Sequence, residues 1–425
     1  MRKILLVIFA FLVLPPICLA QESNKFCGLH YVYDYKSDPG QTSAPAGYKP
    51  FYISHFGRHG ARYCEAEYDT LMTWLSKGAR AGALTDYGQD FFSRYIPFYE
   101  KVRYRKGNLT GVGKDQFRTI ATRMFERFPD VFEGPTHVES VASEVPRVIM
   151  SMWSFLSALQ SLDRTIDIHA DASSKYIPWL HPNSDANPYA IEGRPRYNEK
   201  SDKECYEYCV KTAPWKSVAG KLFSTPDVIF SVLGTNPEAF TKALTYVVCN
   251  TYCLDEDQGC FDDLLSEQEL YLSWKSIAAR NFLLMARYEG SDNLLVDYAA
   301  YTLENIVECA ESDIADGRTQ LRLRFGQDSA LLPLLVFLDL NGFGRSSSSF
   351  DEGIEIAPNY NVPMGASLQL VFYRNGAGKI IFKALLNERE ASLPLEAVDG
   401  PYYSWNSFKE YYLPRIAASK KKITI

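Results

Sequence analysis

Phe51-Tyr52-Ile53-Ser54-His55-Phe56-Gly57-Arg58-His59-Gly60-Ala61-Arg62-Tyr63 is the stretch on which the reading of this chain turns. Its apolar start, residues 51–53, has the character of a short buried strand. Gly57 and Gly60 let the backbone turn sharply and come close to a ligand. Arg58 and Arg62 flank His59, and two rigid guanidinium forks can grip one tetrahedral oxyanion. The imidazole between them is then placed to attack the central atom of that anion. Taken alone, the pentapeptide is equally a basic surface turn, and the rest of the chain has to decide between the two.

The chain has 425 residues, of which 46% are hydrophobic and 23% charged, enough for one large or two medium folded domains. A formal net charge of −6 argues against nucleic acid or an anionic membrane surface as a partner. Any bound anion therefore needs positive charge concentrated locally, and Arg58 with Arg62 is where it is densest. Arg2 and Lys3, an apolar run over 4–14, Pro15-Pro16 and a Cys18-Leu19-Ala20 end read as a secretory signal peptide over residues 1–20. The run is too short to span a bilayer. Lipidation at Cys18 stays open, although Ile17 is large for such a site. Loss of Arg2 and Lys3 takes the net charge from −6 to −8, and an exported protein, periplasmic or secreted, is expected.

Eight cysteines remain after Cys18: Cys27, Cys64, Cys205, Cys209, Cys249, Cys253, Cys260 and Cys309. An even number in an exported chain predicts disulfides, up to four. The i,i+4 spacings of Cys205/Cys209 and Cys249/Cys253 resemble metal spacing. All histidines, however, lie at or before His181, and no metal or cofactor is expected.

Three strand–loop–helix units are legible. The first is residues 51–55 with the Arg-His-Gly turn. In the second, 138–142 alternates as a strand, Ser143 suits an N-cap, Pro146 suits a first helical turn, and Arg147 follows it. In the third, Leu321, Leu323 and Phe325 alternate with Arg322 and Arg324, Gly326-Gln327-Asp328-Ser329 turns, and 330–340 is an apolar helix. Between the first two, Phe117, Ile120, Ala121, Met124, Phe125 and Phe128 form one helical stripe. The basic run 101–106 reads as a solvated face. Residues 368–373 and 379–386 flank Asn375-Gly376-Ala377-Gly378, a hairpin signal. Over 170–265, Tyr, Trp, Pro and Cys rise and periodicity breaks. The expected architecture is therefore α/β. A central, mainly parallel sheet flanked by helices comes from 21–169 and 266–425, and a mostly helical, cysteine-rich cap from 170–265. In open α/β sheets ligands collect at the carboxyl ends of strands, where helix N-termini suit phosphate. Converging loops would gather Arg58, His59, Arg62, Arg147, Gln327 and Asp328.

With those motifs in hand, the chain resembles the histidine acid phosphatase branch of the histidine phosphatase superfamily, which includes phytases and multiple inositol-polyphosphate phosphatases. The resemblance is carried by residues 58–62, Leu109-Thr110-Gly111-Val112-Gly113, the segment 143–151 around Arg147, and residues 326–329, in the family's order. It implies a nucleophile at His59, a phosphoryl clamp of Arg58, Arg62 and Arg147, and a proton donor at Asp328. It also implies a small-molecule phosphomonoester as substrate, inositol polyphosphates such as phytate included, and an acidic optimum. Within the cap, Lys175, Arg194, Arg196 and Lys200 are candidate contacts for further phosphates. The family places a histidine where this chain has Gln327, whose amide donates a hydrogen bond but carries no charge. A phosphate-ligand binding protein with little turnover is therefore the alternative, and a mutase-type phosphoryl transferase is a third reading. The oligomeric state is not legible.

Overall fold

The computed structural model describes residues 24–187 and 198–424. The segment 1–20, read above as a signal peptide, and the candidates Arg194 and Arg196 lie outside the described residues. The first half of the chain runs through β1 (Tyr48–Arg58), α1 (Glu67–Arg80), α2 (Asp86–Val102), α3 (Gly111–Arg127), β2 (His137–Ala142), α4 (Pro146–Leu162) and β3 (Asp167–Ala172). A short turn of helix at Ile177–Leu180 precedes α5 (Glu199–Thr212), α6 (Trp215–Leu222), α7 (Pro237–Asn250), α8 (Glu267–Met285) and α9 (Leu294–Asp316). The third strand–helix unit is β4 (Leu321–Gly326) with α10 (Asp328–Phe337), followed by α11 (Phe350–Ile356). The chain closes with β5 (Ser367–Asn375), β6 (Ile380–Leu386), β7 (Arg389–Ala391), β8 (Ala397–Asp399), β9 (Tyr402–Ser404) and α12 (Trp405–Thr424).

One sheet holds the strands in the order β3-β2-β4-β1-β5-β6-β9-β8, with β7 on β6. The half from β3 to β1 is parallel, and everything from β5 onward is antiparallel. The expected α/β fold is present, and its parallel half carries the three anticipated units. The β5–β6 hairpin also forms, around residues 375–378.

Strand alternation decides which helices cover which face. Ile53, Leu321, Leu323, Phe325 and Val371 pack with Phe117, Ile120, Met124, Phe155 and Leu156 of α3 and α4. Tyr52, Phe56, Leu370 and Phe372 face α8, α9, α10 and α12. Arg322 and Arg324 point to this second face, under α9 rather than into water. Asp313 takes Arg322 in two contacts of 3.0 and 2.7 Å, and Asn305 and Ser54 take Arg324 at 2.8 and 3.1 Å. A buried charge needs such partners.

A separate core joins Tyr68, Leu71, Leu75, Phe91, Tyr95 and Phe98 of α1 and α2 to Trp215, Leu222, Phe240, Leu244 and Phe261. This helical layer thus draws on residues before 170 as well as on 213–265, and a boundary at 170 cuts across it. β3, which ends at Ala172, stays in the sheet.

Two local expectations are corrected. Ser143 does not cap α4: Val145 occupies that position with Pro146 at the first helical turn, and the buried Ser143 hydroxyl has no partner. All eight described cysteines are unbridged. Packing instead buries the sulfurs against one another and against carbonyls: Cys205 and Cys209 Sγ stand 4.0 Å apart, and the Cys253 thiol donates to the His30 carbonyl at 3.4 Å.

Candidate active site

β1 ends at Arg58, in parallel register with Gly326 at the end of β4. That pairing puts the Arg-His-Gly turn beside the Gln327–Asp328 turn. The His59 amide donates to the Gly326 carbonyl at 3.1 Å, and the His59 carbonyl accepts from Gly365 at 2.8 Å. Beyond His59 the backbone of the turn is held at several points. The Gly60 amide donates to Ser151 Oγ at 3.0 Å, Ala61 to Gln116 Oε1 at 2.8 Å, and Cys64 to Asn250 Oδ1 at 3.0 Å. Thr110, the N-cap of α3, donates through its amide and its hydroxyl to the Ala61 carbonyl at 2.9 and 3.0 Å. Here the Leu-Thr-Gly-Val-Gly motif finds its physical reason. A Cβ on Gly60 would stand 2.5 Å from the Gly113 carbonyl oxygen, and one on Gly113 would stand 2.2 Å from that of Ala61. Two bare backbones are what allow the turn to lie on α3.

Arg58 is buried, and its Nη1 donates to the carbonyls of Leu29 and Val362, both at 2.7 Å. Its Nη2 lies 3.5 Å from Asp328 Oδ2. Arg147, in the first turn of α4, has Nη1 2.9 Å from Glu65 Oε1. Burial and the nearby Arg62 charge push the Arg147 pKa down to about 10. Arg62 Nη1 donates to the Tyr63 carbonyl at 2.8 Å. The Nε atoms of all three arginines are buried without a partner. Three guanidinium groups held this close cost electrostatic energy, which a bound anion would relieve.

His59 is buried among them. Burial first, then Arg147, Arg58 and Arg62, push its pKa well below the ordinary histidine value, so the ring is neutral. Nδ1 lies 2.9 Å from the Gly60 carbonyl oxygen. A carbonyl only accepts, so Nδ1 carries the proton and Nε2 keeps its lone pair. Burial pushes the Asp328 carboxyl up, but Arg58, followed by Arg62 and Arg147, outweighs it, and the pKa lies below the usual carboxylate value. Oδ1 also accepts the Ser329 amide at 3.1 Å, at the start of α10. Gln327 is the N-cap residue of that helix. Its amide N–H donates to the Leu180 carbonyl at 3.1 Å, and its side-chain Nε2 is buried without a partner. The structure thus gathers Arg58, His59, Arg62, Arg147 and Asp328, with Gln327 adjacent. Lys175 and Lys200 are not brought to them: both are exposed, on Asp171 at 2.7 Å and near Glu204 at 3.8 Å.

The sequence reading missed His30, Tyr246 and Asn250. Arg58 is bonded to the carbonyl just before His30, and burial, with Arg62 and Arg58, keeps the His30 ring neutral. The Asn250 amide donates to His30 Nδ1 at 3.4 Å and to the Arg62 carbonyl at 2.8 Å. His30 therefore keeps its proton on Nε2, and its ring packs on Tyr246 with centroids 4.3 Å apart. No signal could have flagged His30, which lies in an irregular lead-in 29 residues before the nucleophile candidate. Lys106, at the end of the supposed solvated run, lines a cleft of about 450 Å³ with Glu65, Asn108, Pro146 and Arg147. A larger cleft of about 610 Å³, near Tyr31, Asn361 and Arg389, contains none of the clustered residues.

No family model matches the chain, and no curated protein matches it. Solved structures do. The apo form of Bifidobacterium longum multiple inositol polyphosphate phosphatase aligns with a TM-score of 0.74 at 15% identity, over 91% of this chain and 97% of that one. The same protein in complex with inositol hexasulfate gives 0.71 at 16%, with the same coverage. The D. castellii phytase gives 0.71 at 13%, over 93% and 85%. At such identities the likeness is one of fold. Among the described residues no helix is long and apolar enough to cross a membrane.

Proposed function

We propose that this chain, which has the fold of the histidine acid phosphatase branch, is an exported phosphomonoester hydrolase that works through a phosphohistidine on His59. The observation that carries the reading is a neutral imidazole with its Nδ1 proton engaged, set among three arginines. Nε2 attacks phosphorus while Arg58, Arg62 and Arg147 hold the phosphoryl oxygens, where charge builds up in the transition state. Asp328 gives its proton to the departing alkoxide. A water then attacks the phosphohistidine and returns a proton to Asp328, releasing phosphate and restoring His59.

The chemistry requires Asp328 to be protonated when the ester breaks, yet Arg58 keeps it ionised in the free protein. A dianionic phosphate cancels much of that pull, so binding and proton uptake are linked. The monoester that binds as the monoanion passes its remaining proton to Asp328, and because a phosphate monoester loses that second proton near pH 6, the supply fails as pH rises above it. Activity is expected to peak below neutrality, and a profile climbing steadily to pH 9 would refute the assignment of Asp328.

Inositol polyphosphates are the proposed substrate class. The fold relative that binds inositol hexasulfate supports this, as does the cleft running from Arg147 to Lys106, where a second phosphate would compete with Glu65 and Asp69 for the two cations. The test is phosphate release from p-nitrophenyl phosphate and from phytate, with acid-labile, alkali-stable labelling of the protein during turnover. His59→Ala is expected to remove the label and at least about 10³-fold of the rate. The buried, unpaired amide of Gln327 favours one second reading, a phosphate-ligand binder with little turnover. Phytate binding without phosphate release, abolished by Arg62→Ala, would establish it.

A further inference from the structure

β3 is an edge strand, parallel to β2, with His137 opposite Asp167 and Glu139 opposite His169. Residues two apart on a strand share a face, so these four side chains meet on one side of the sheet. His137 Nε2 lies 2.9 Å from Glu139 Oε1, and His169 Nδ1 lies 3.6 Å from the same oxygen. The two imidazoles meet edge to face, with centroids 4.6 Å apart. Their other nitrogens both turn to Asp167: His137 Nδ1 at 2.8 Å and His169 Nε2 at 3.7 Å.

We propose that His137, Glu139 and His169 form a binding site for a divalent transition-metal ion of the zinc type, with Asp167 as the outer carboxylate that orients the rings. One ligand atom from each of the three residues lies within 4.8 Å of the others. Zinc–nitrogen and zinc–oxygen bonds of about 2.0–2.1 Å in a tetrahedron require ligand atoms about 3.3 Å apart. The distances of 2.9 and 3.6 Å to Glu139 Oε1 bracket that value, so coordination needs only small side-chain rotations. A histidine that turns one nitrogen to the metal and the other to a carboxylate is the usual arrangement of an imidazole ligand. Two imidazoles with one carboxylate favour zinc, nickel or copper over magnesium or calcium, which want oxygen alone. On binding, the ion replaces the proton shared between His137 and Glu139, and that proton leaves to solvent. Arg322, 3.8 Å from Glu139 Oε2, keeps the second carboxylate oxygen away from the ion and so favours one-oxygen ligation.

The site is separate from the catalytic cluster. His137 begins β2, and the loop bearing Arg147 follows its other end at Ala142, about 16 Å along the strand. Its work is structural: it ties β3 to β2 at the open edge of the parallel half, where no further strand among the described residues supports the ladder.

The test titrates chelator-stripped full chain with zinc or nickel chloride by calorimetry, and with copper for electron paramagnetic resonance. One saturating equivalent is expected, with nitrogen splitting in the copper spectrum and a rise in Tm on zinc addition. His137→Ala and His169→Ala are each expected to weaken binding at least tenfold and to lose the Tm rise. Both are expected to leave phosphate release intact, so the result is read apart from the hydrolase assignment. Since the two substitutions fall on exposed or half-buried positions, circular dichroism is expected to show them folded; Glu139→Gln supplies a third, milder variant. No saturable binding below millimolar metal would overturn the proposal. So would binding that ignores both histidine variants but disappears in Cys205→Ser/Cys209→Ser.

Discussion

Gln327 is the position at which this site departs from a fully charged clamp. Its side chain is buried, and its Nε2 lacks a partner. On the phosphatase reading that donor serves a phosphoryl oxygen, since an unmade buried hydrogen bond costs about 1–3 kcal/mol. Gln327→Ala is accordingly expected to lower kcat/KM for phosphomonoesters by about tenfold or more. Gln327→His should raise it if charge is what the position lacks, and a fall would mean that the amide is specialised for this substrate. His30 offers a second neutral donor from the opposite end of the chain. On the phosphatase reading, His30→Ala should reduce kcat/KM by about tenfold, the loss of one neutral hydrogen bond. His30→Gln, which keeps a donor, should recover part of it, and equal losses in the two variants would leave His30 a packing residue. The departure at Gln327 was legible in the sequence, but the place of His30 was not. Arg58, His59 and Arg62 stand within five consecutive residues and could be read as one motif, whereas His30 and Asn250 are 220 positions apart and meet only in the fold.

The helices with clean apolar stripes formed where periodicity put them, as α3 and α4 did, because one face had a sheet to cover. What periodicity does not carry is which partner a stripe chooses. α1 and α2 pack on α6 and α7 rather than on the sheet, so their stripes belong to the helical layer. Tight approach is likewise invisible until elements are placed. Gly60→Ala brings a Cβ against the Gly113 carbonyl, which no rotamer change relieves, and should cost about 1–3 kcal/mol in urea unfolding together with activity. Gly220→Ala is the control. It lies inside α6 with no neighbour within 4 Å of the added Cβ, so it should gain about 0.5–1 kcal/mol. Similar changes for both would show that the turn does not need bare backbone.

For the protein as a folded unit, the burial of its histidines limits the acidity at which it stays folded. His55 lies between Phe155 and Phe325 with both ring nitrogens unpartnered, and burial, aided by Arg324, pushes its pKa down to about 3. The unfolded chain takes up a proton near pH 6.5, and the folded chain refuses it until about 3, so stability falls as pH falls through that window. His30 and His59, also pushed down, add to the same slope. The urea midpoint should therefore drop by the equivalent of a few kcal/mol between pH 7 and pH 4. His55→Leu should flatten the slope, and an unchanged slope would assign the acid limit to other groups. On the phosphatase reading, the working range would be bounded above by the proton supply at Asp328 and below by these buried rings.

Local pattern by itself determined the α/β class, the three strand–loop–helix units, the β5–β6 hairpin and the Arg-His-Gly turn. Each is written within a few residues, in steric preference and in the period of apolar side chains. Only the tertiary structure decided that β1 and β4 lie side by side, which brings Asp328 to Arg58. It alone brought His30 beside Arg58 and Arg62, left the eight described cysteines unbridged, and packed α1 and α2 against α6 and α7. The physical reason is common to all of these. A pairing between distant segments is selected by the packing of the completed core, and no stretch of chain contains that sum.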